Sequence, residues 1–244
     1  MAAHEGHHWW FVGRRAVVAA LMTRLDLPPE PDIVEAGCGT GGNLQMLAAR
    51  GTVSAFEPFD EAAAVARSRY PTLDVRHGEL PDVLPFPEAS YDLVAALDVL
   101  EHVRDDQRAL EALVALARPG GWVIVTVPAH QALWGSHDRR LHHRRRYGRR
   151  QLEMLAESTG AEIVYVTAFN TFLAPIAMAY RLIERVVGRD LGNQERIPPR
   201  WINAALATAF ALERHFVTRS ALPAGLSYAA ILRRPTTPAA PRER

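Results

Sequence analysis

The sequence predicts an α/β fold built on a mostly parallel, doubly wound sheet of seven strands with helices on both faces. Three observations carry that prediction. Short apolar strands alternate with helical segments from residue 32 to residue 127, the pattern of right-handed strand–helix–strand crossovers. The first strand runs straight into the glycine-rich turn Gly37-Cys-Gly-Thr-Gly-Gly42 and then a helix. An acid, Glu57, closes the second strand twenty residues after Gly37, where a doubly wound fold presents a carboxylate to ribose hydroxyls. Glycines at 37, 39 and 41 let a backbone approach a ligand closely, with free helix N-terminal amides behind them.

Each element has its own warrant. A helix is expected over about 9–25, then strands at Asp32–Ala36 and Thr52–Phe56, and a third before His77-Gly-Glu-Leu80. The fourth strand, Tyr91–Leu97, opens into Asp98-Val-Leu-Glu-His102, and Arg118-Pro-Gly-Gly121 turns a helix into the fifth, Trp122–Val127. A loop rich in His and Arg follows over 128–147, then a helix near 149–159 closed by Gly160, and a strand at Glu162–Phe169. Its partner, Ser227–Arg233, arrives only after some fifty residues. The insertion between them holds two helical stretches, Thr171–Gly188 and Pro199–Val217. The division is therefore one domain over 1–234, with an N-terminal lid helix (1–28), a ligand-binding core (30–169) and a helical insertion (170–222). Residues 235–244 are polar and proline-rich and are expected to be disordered.

Composition bounds the partners. Lys+Arg is 28 against Asp+Glu 27, and every one of those bases is arginine, so no global nucleic-acid footprint exists. The single cysteine, Cys38, excludes an internal disulfide and suits a reducing cytoplasm. No charged-then-apolar leader opens the chain and no apolar run reaches membrane-spanning length, so a cytoplasmic protein is expected.

Two cofactors fit the glycine turn. Gly37, Gly39 and Gly42 satisfy the dinucleotide spacing GxGxxG, a weak signal alone. Glu35, just before the turn, faces a cationic amino acid group well and a pyrophosphate poorly, which favours S-adenosylmethionine over NAD. A Tyr-x-x-x-Lys oxidoreductase pair cannot occur in a chain without lysine. Taken with the Leu97-Asp-Val-Leu-Glu-His-Val103 segment and the Pro119-Gly-Gly121 turn, the chain resembles the class I S-adenosylmethionine-dependent methyltransferases over roughly residues 30–130. The resemblance implies a Rossmann-like methyltransferase fold and S-adenosylmethionine as cofactor. It implies that Glu35, Gly37, Gly39 and Gly41 hold the methionine portion and that Glu57 takes the ribose. It also implies that Glu79 and the Leu80 amide meet the adenine, and that Asp98 lies under the methionine portion.

A sulfonium methyl group is already electrophilic, so the chain need only align a nucleophile and remove its proton where it carries one. Histidines suit that task near neutral pH. His102 follows the fourth strand and His137, beside Asp138, follows the fifth; these are the candidate catalytic bases. No metal is expected. His4, His7 and His8 lack HExxH spacing, and His137, His142 and His143 have no evident acidic cluster beside them in the sequence.

The segment His7-His-Trp-Trp-Phe-Val-Gly-Arg-Arg15 is similar to one that accompanies a loop like Trp134-Gly-Ser-His-Asp138 and Arg144-Arg-Arg-Tyr147 in a subgroup of these enzymes. That likeness implies a lid helix with Arg14 near the methionine carboxylate. It implies a substrate pocket drawn from Trp9, Trp10, Trp134, Asp138, Arg146 and Tyr147. In the insertion, residues 172–180 and 201–212 are uncharged, and Arg181, Arg185 and Arg189 follow the first run at four-residue spacing. The plainest expectation is two helices that cap the site and bury each other. Others are a lid for a hydrophobic substrate, a homodimer contact, and a peripheral membrane contact serving a lipid-linked acceptor. The expected function is methyl transfer to an O, N or C atom of a small hydrophobic metabolite. Its rivals are an NAD-dependent oxidoreductase and a cyclase or binding protein that keeps the fold for another purpose.

Overall fold

A computed structural model describes residues 5–187 and 197–236, the side chains of 181–187 excepted. Helix α1 (Trp9–Met22) begins where the His8 side chain accepts from the Trp10 amide at 3.2 Å. It buries Val17, Val18, Leu21 and Met22, a stripe at helical spacing. Then follow β1 (Asp32–Ala36), α2 (Leu44–Ala48), β2 (Thr52–Glu57), α3 (Asp60–Arg69), β3 (Asp74–His77), β4 (Tyr91–Leu97), α4 (Asp106–Leu116) and β5 (Ala117–Pro128). After a single 3₁₀ turn come α5 (Ser136–Arg140), α6 (Arg149–Ser158), β6 (Glu162–Phe169), α7 (Ala174–Val187), α8 (Arg200–Leu212), α9 (Arg214–Val217) and β7 (Ser227–Arg233).

The seven strands form one sheet in the order β3-β2-β1-β4-β5-β7-β6. Strands β1 to β5 pair in parallel, and β7 runs antiparallel to both β5 and β6. The expected hairpin of β6 and β7 is thus present, with the whole insertion as its connection. Hydrophobic cores fill both faces of the sheet, which is why the central strands carry continuous apolar runs such as Leu93–Leu97.

Register places the functional edge. Ala36 sits opposite Phe56 on one side and Ala96 on the other, so Gly37 and Glu57 emerge at one level and Asp98 one residue beyond it. Strand order reverses between β1 and β4, and the crevice beyond the strand ends at such a reversal is where open sheets of this kind bind ligands. The fifth strand starts earlier than expected, at Ala117. Tyr91 pairs with Ala117 and Leu93 with Trp122, leaving Arg118–Gly121 looped out of the ladder.

Within the insertion, helix α8 lies on α1: the Phe210 ring centroid is 5.4 Å from Trp10 and 6.2 Å from Trp9. Gly13 makes this approach feasible, because a Cβ there would stand 2.2 Å from Phe210 Cδ1. The second predicted helix breaks at Glu213, whose buried carboxylate accepts from the Phe172 amide at 2.8 Å and so ties the two ends of the insertion together. Ile176 and Met178 on α7 and Trp201 on α8 are exposed. Arg189, the side chains of Arg181 and Arg185, and the tail from 237 onward lie outside the described residues. No helix among the described residues is long and apolar enough to cross a membrane.

Candidate active site

At the end of β1, Glu35 is buried, with Oε1 accepting from Asn43 Nδ2 at 2.7 Å and Oε2 without a hydrogen-bond partner. Burial raises its pKa to about 7, against the opposing pull of the Asn43 hydrogen bond and of Arg14. Asn43 Oδ1 accepts from Arg14 at 3.1 Å, and the other end of that guanidinium pairs with Asp98. Asp98 in turn accepts from Thr126 Oγ1 at 2.8 Å. A continuous chain, Glu35–Asn43–Arg14–Asp98–Thr126, therefore runs beneath the strand ends and joins α1 to the sheet.

The glycine turn stands above it. Gly37 has φ +66°, and a Cβ there would press within 2.8 Å of Val99, so both backbone conformation and space demand glycine. Glu57 holds the turn from the side: Oε2 accepts from the Gly39 amide at 2.8 Å and Oε1 from Phe59 at 3.2 Å. Burial raises the Glu57 pKa despite those two backbone donors. Gly41 closes the turn with a positive φ of +86°. Glu79 is exposed and Leu80 buried in the segment after β3, which is pinned by reciprocal Glu79–Val83 backbone hydrogen bonds of 2.8 Å.

The N-terminal segment packs over the loop. Glu5, buried, accepts from Thr40 Oγ1 at 2.6 Å and from Arg69 at 3.0 Å, and Arg15 donates to the carbonyls of Glu5 and Gly42. Trp9 and Trp10 are half-buried against Phe210, and Trp134 is half-buried after the 3₁₀ turn.

The loop rich in His and Arg is held by hydrogen bonds of its own. Asp138 is fully buried and accepts from Arg146 Nε at 2.7 Å, His143 Nδ1 at 3.0 Å and the Gly135 amide at 2.9 Å. Although burial opposes it, those donors hold its carboxyl well below the usual range. Tyr147 is fully buried and its hydroxyl donates to Asp106 at 2.8 Å. Asp138, Arg146 and Tyr147 thus brace this loop through hydrogen bonds within it and to Asp106 and the Ala129 carbonyl. Arg144 and Arg145 donate to the carbonyls of Glu101, His102, Val103 and Arg104, clasping the loop to the segment after β4.

That clasp brings His102 to His143, ring centroids 4.8 Å apart and edge to face, with His137 6.4 Å from His143. His102 keeps solvent exposure; partial burial of its ring and the neighbouring His143 lower its pKa to about 4, so it is neutral at physiological pH. Beneath it lies Glu101, fully buried. Sequence reasoning missed Asn43, Thr126, Glu5 and Glu101. Asn43 had a signal, since it opens the helix behind the glycine turn. Glu5 had none.

Comparison with known proteins shows the family. A family model described as "Methyltransferase domain" matches residues 11–166. A Mycolicibacterium smegmatis protein named "Probable S-adenosylmethionine-dependent methyltransferase" is 34% identical over 161 residues, 64% of this chain and 60% of the relative, so the match spans less than two thirds of that relative's length. Among solved structures, the Streptomyces coelicolor geranyl diphosphate C-methyltransferase aligns with a TM-score of 0.60 at 14% identity, covering 89% of this chain and 78% of that one. The [4+2]-cyclase SpnF aligns with a TM-score of 0.58 at 21% identity, covering 92% and 82%. At those identities the structures speak for the fold alone, whereas the match over residues 11–166 takes in most of α1, the glycine turn, Glu57 and Asp98. The chain belongs to the class I S-adenosylmethionine-dependent methyltransferase family.

Proposed function

We propose that this chain transfers a methyl group from S-adenosylmethionine to an oxygen, nitrogen or carbon atom of a small molecule with apolar character. The observation that carries this reading is Glu35 Oε2, a buried carboxylate oxygen with no hydrogen-bond partner among the described residues, at the end of β1 beside the glycine turn. An ammonium group is the partner such an oxygen lacks. The remaining residues fit the same cofactor. Gly37, Gly39 and Gly41 keep the wall low, Glu57 offers its carboxylate to the ribose while holding the Gly39 amide, and Glu79 with the Leu80 amide attends the adenine. Arg14 serves the methionine carboxylate. Because it already pairs with Asp98, cofactor entry exchanges or shares one ion pair for another, leaving Asp98 to the methionine portion.

S-adenosylmethionine, when bound, supplies an electrophilic methyl group. The chain positions the acceptor, excludes water and removes a proton where the acceptor is a hydroxyl. Trp9, Trp10 and Trp134 are the candidate aromatic surfaces for an apolar acceptor, and His102 and His137 the candidate bases for its proton. Calorimetry tests the cofactor: S-adenosylhomocysteine binds at micromolar strength and NAD does not. Turnover of methyl-labelled cofactor separates methyl transfer from a cyclase or binding role. Tight NAD binding without sulfonium binding would overturn the reading.

The exposed apolar residues Ile176, Met178 and Trp201 favour a second reading, in which the acceptor is lipid-linked and met at a membrane surface. Liposome flotation that persists at high salt supports it; release by salt removes it.

A further inference from the structure

Beside the cofactor crevice, two segments some forty residues apart in the chain meet. Glu101 and His102 come from the turn after β4, and His143 from the end of the loop that begins with α5. One carboxylate oxygen and one ring nitrogen from each histidine lie within 4.8 Å of one another. Glu101 is 0% exposed, and among the described residues neither of its carboxylate oxygens has a well-formed hydrogen bond. A buried carboxylate left bare is costly. Protonation alone does not relieve it, since a carboxylic O–H needs an acceptor as much as a carboxylate needs donors.

The surroundings are those of a ligand set. His143 Nδ1 is held at 3.0 Å by Asp138 Oδ1, itself fixed by Arg146 and by the Gly135 amide. That carboxylate–imidazole pairing fixes the tautomer and turns Nε2 into the free donor atom, the outer-shell arrangement of metal-ligating histidines. The clasp of Arg144 on the Glu101 and His102 carbonyls holds the two segments together. His102, exposed, provides the entry path.

We propose that Glu101, His102 and His143 bind a divalent first-row transition ion of the zinc or ferrous class. Two imidazoles and one carboxylate suit such an ion better than Mg²⁺ or Ca²⁺, which prefer all-oxygen sets. Ligand atoms around an ion at about 2.1 Å stand roughly 3 to 4 Å apart, so small rotations of the Glu101 and His102 side chains close the set. Three protein ligands leave open positions, and the site lies at the β4 end, close to Asp98. With the ion in place His102 is a ligand rather than a base, and a hydroxyl acceptor would be polarised by coordination.

Ion binding itself does not depend on the methyltransferase reading, and the test keeps the two apart. The full chain, untagged and stripped with chelator, is titrated with Zn²⁺, Co²⁺ and Mg²⁺ by calorimetry and elemental analysis, and Co²⁺ also by its visible spectrum. One equivalent of Zn²⁺ or Co²⁺ is expected, with no comparable Mg²⁺ binding. His102→Ala, at an exposed position that spares the core, should weaken the ion at least about tenfold, the lower end of what even an outer-shell partner is worth. Glu101→Gln should do the same, checked for folding by circular dichroism. His4, His7 and His8 near the N-terminus can also attract zinc, so binding that is unchanged in His102→Ala overturns the proposal, as does failure to bind Zn²⁺ or Co²⁺ stoichiometrically. Stoichiometric ion binding without S-adenosylhomocysteine binding would leave the ion site standing and remove the cofactor reading.

Discussion

Glu35 and Glu101 are two buried glutamates at the ends of neighbouring strands, and the chain treats them in opposite ways. Around Glu35 it supplies its own donors: Asn43 takes one oxygen, Arg14 links Asn43 to Asp98, and a single oxygen is left free. Around Glu101, among the described residues, neither carboxylate oxygen has a well-formed hydrogen bond, and two imidazoles stand nearby instead. The difference teaches what each place can hold. A mostly satisfied carboxylate with one open oxygen recognises a hydrogen-bonding cation of fixed shape, whereas a bare carboxylate among ring nitrogens calls for a point charge that coordinates.

The comparison can be broken at several points. The largest effect is expected from Arg14→Ala, which strands Asp98 and loosens Asn43 together. Removing one partner of a buried pair costs about 3–5 kcal/mol, and because the Asp98 side chain is 20% exposed we expect about 2–3 kcal/mol in urea unfolding. The Arg14→Ala/Asp98→Ala double variant should recover part of that loss. Full additivity would show that the pair does not couple α1 to the sheet.

Next comes Glu57→Ala, expected to weaken S-adenosylhomocysteine by about 1.5–3 kcal/mol, the scale of charge-assisted hydrogen bonds. Glu57→Gln keeps a carbonyl for one backbone amide and should lose less. Equal losses would mean that Glu57 acts only through its charge.

A smaller effect sharpens the Glu35 side. Its carboxyl is raised from 4.5 to about 7 in the fold, so the folded state binds this proton more tightly than the unfolded chain does. The resulting stability is present in full below about pH 4.5 and is lost as pH rises through 7, amounting to about 1–3 kcal/mol. Glu35→Gln should flatten that part of the pH–stability curve, which the Asn43 hydrogen bond and the charges of Arg14, Glu5 and Glu57 shape. Cofactor affinity should rise over the same window as Glu35 ionises. An unchanged pH profile in Glu35→Gln would place the titration elsewhere.

The smallest expected change is at α8. Gly13→Ala forces Phe210 away from α1 and should cost about 1–3 kcal/mol of stability, the range for overpacking, with cofactor affinity at Glu57 and Glu35 little altered. A strong loss of cofactor binding would instead make the α1–α8 contact part of the site.

The sequence by itself determined the sheet, the crossovers, the glycine turn and Glu57. Those features are written in short-range signals: alternation of strand and helix, φ-permissive glycines, and an acid at a fixed spacing from a turn. Local backbone preference and apolar patterning act over a few residues, so they can be read along the chain. Tertiary structure alone decided which carboxylates were left open. Only the fold turns Asp138, Arg146 and Tyr147 into internal framework, lays α8 on α1 through Phe210, threads Asn43 between Glu35 and Arg14, and folds His143 onto Glu101 and His102. Whether a polar atom is satisfied depends on partners that are distant in sequence and close in space, and spacing along one strand or one loop carries no record of them.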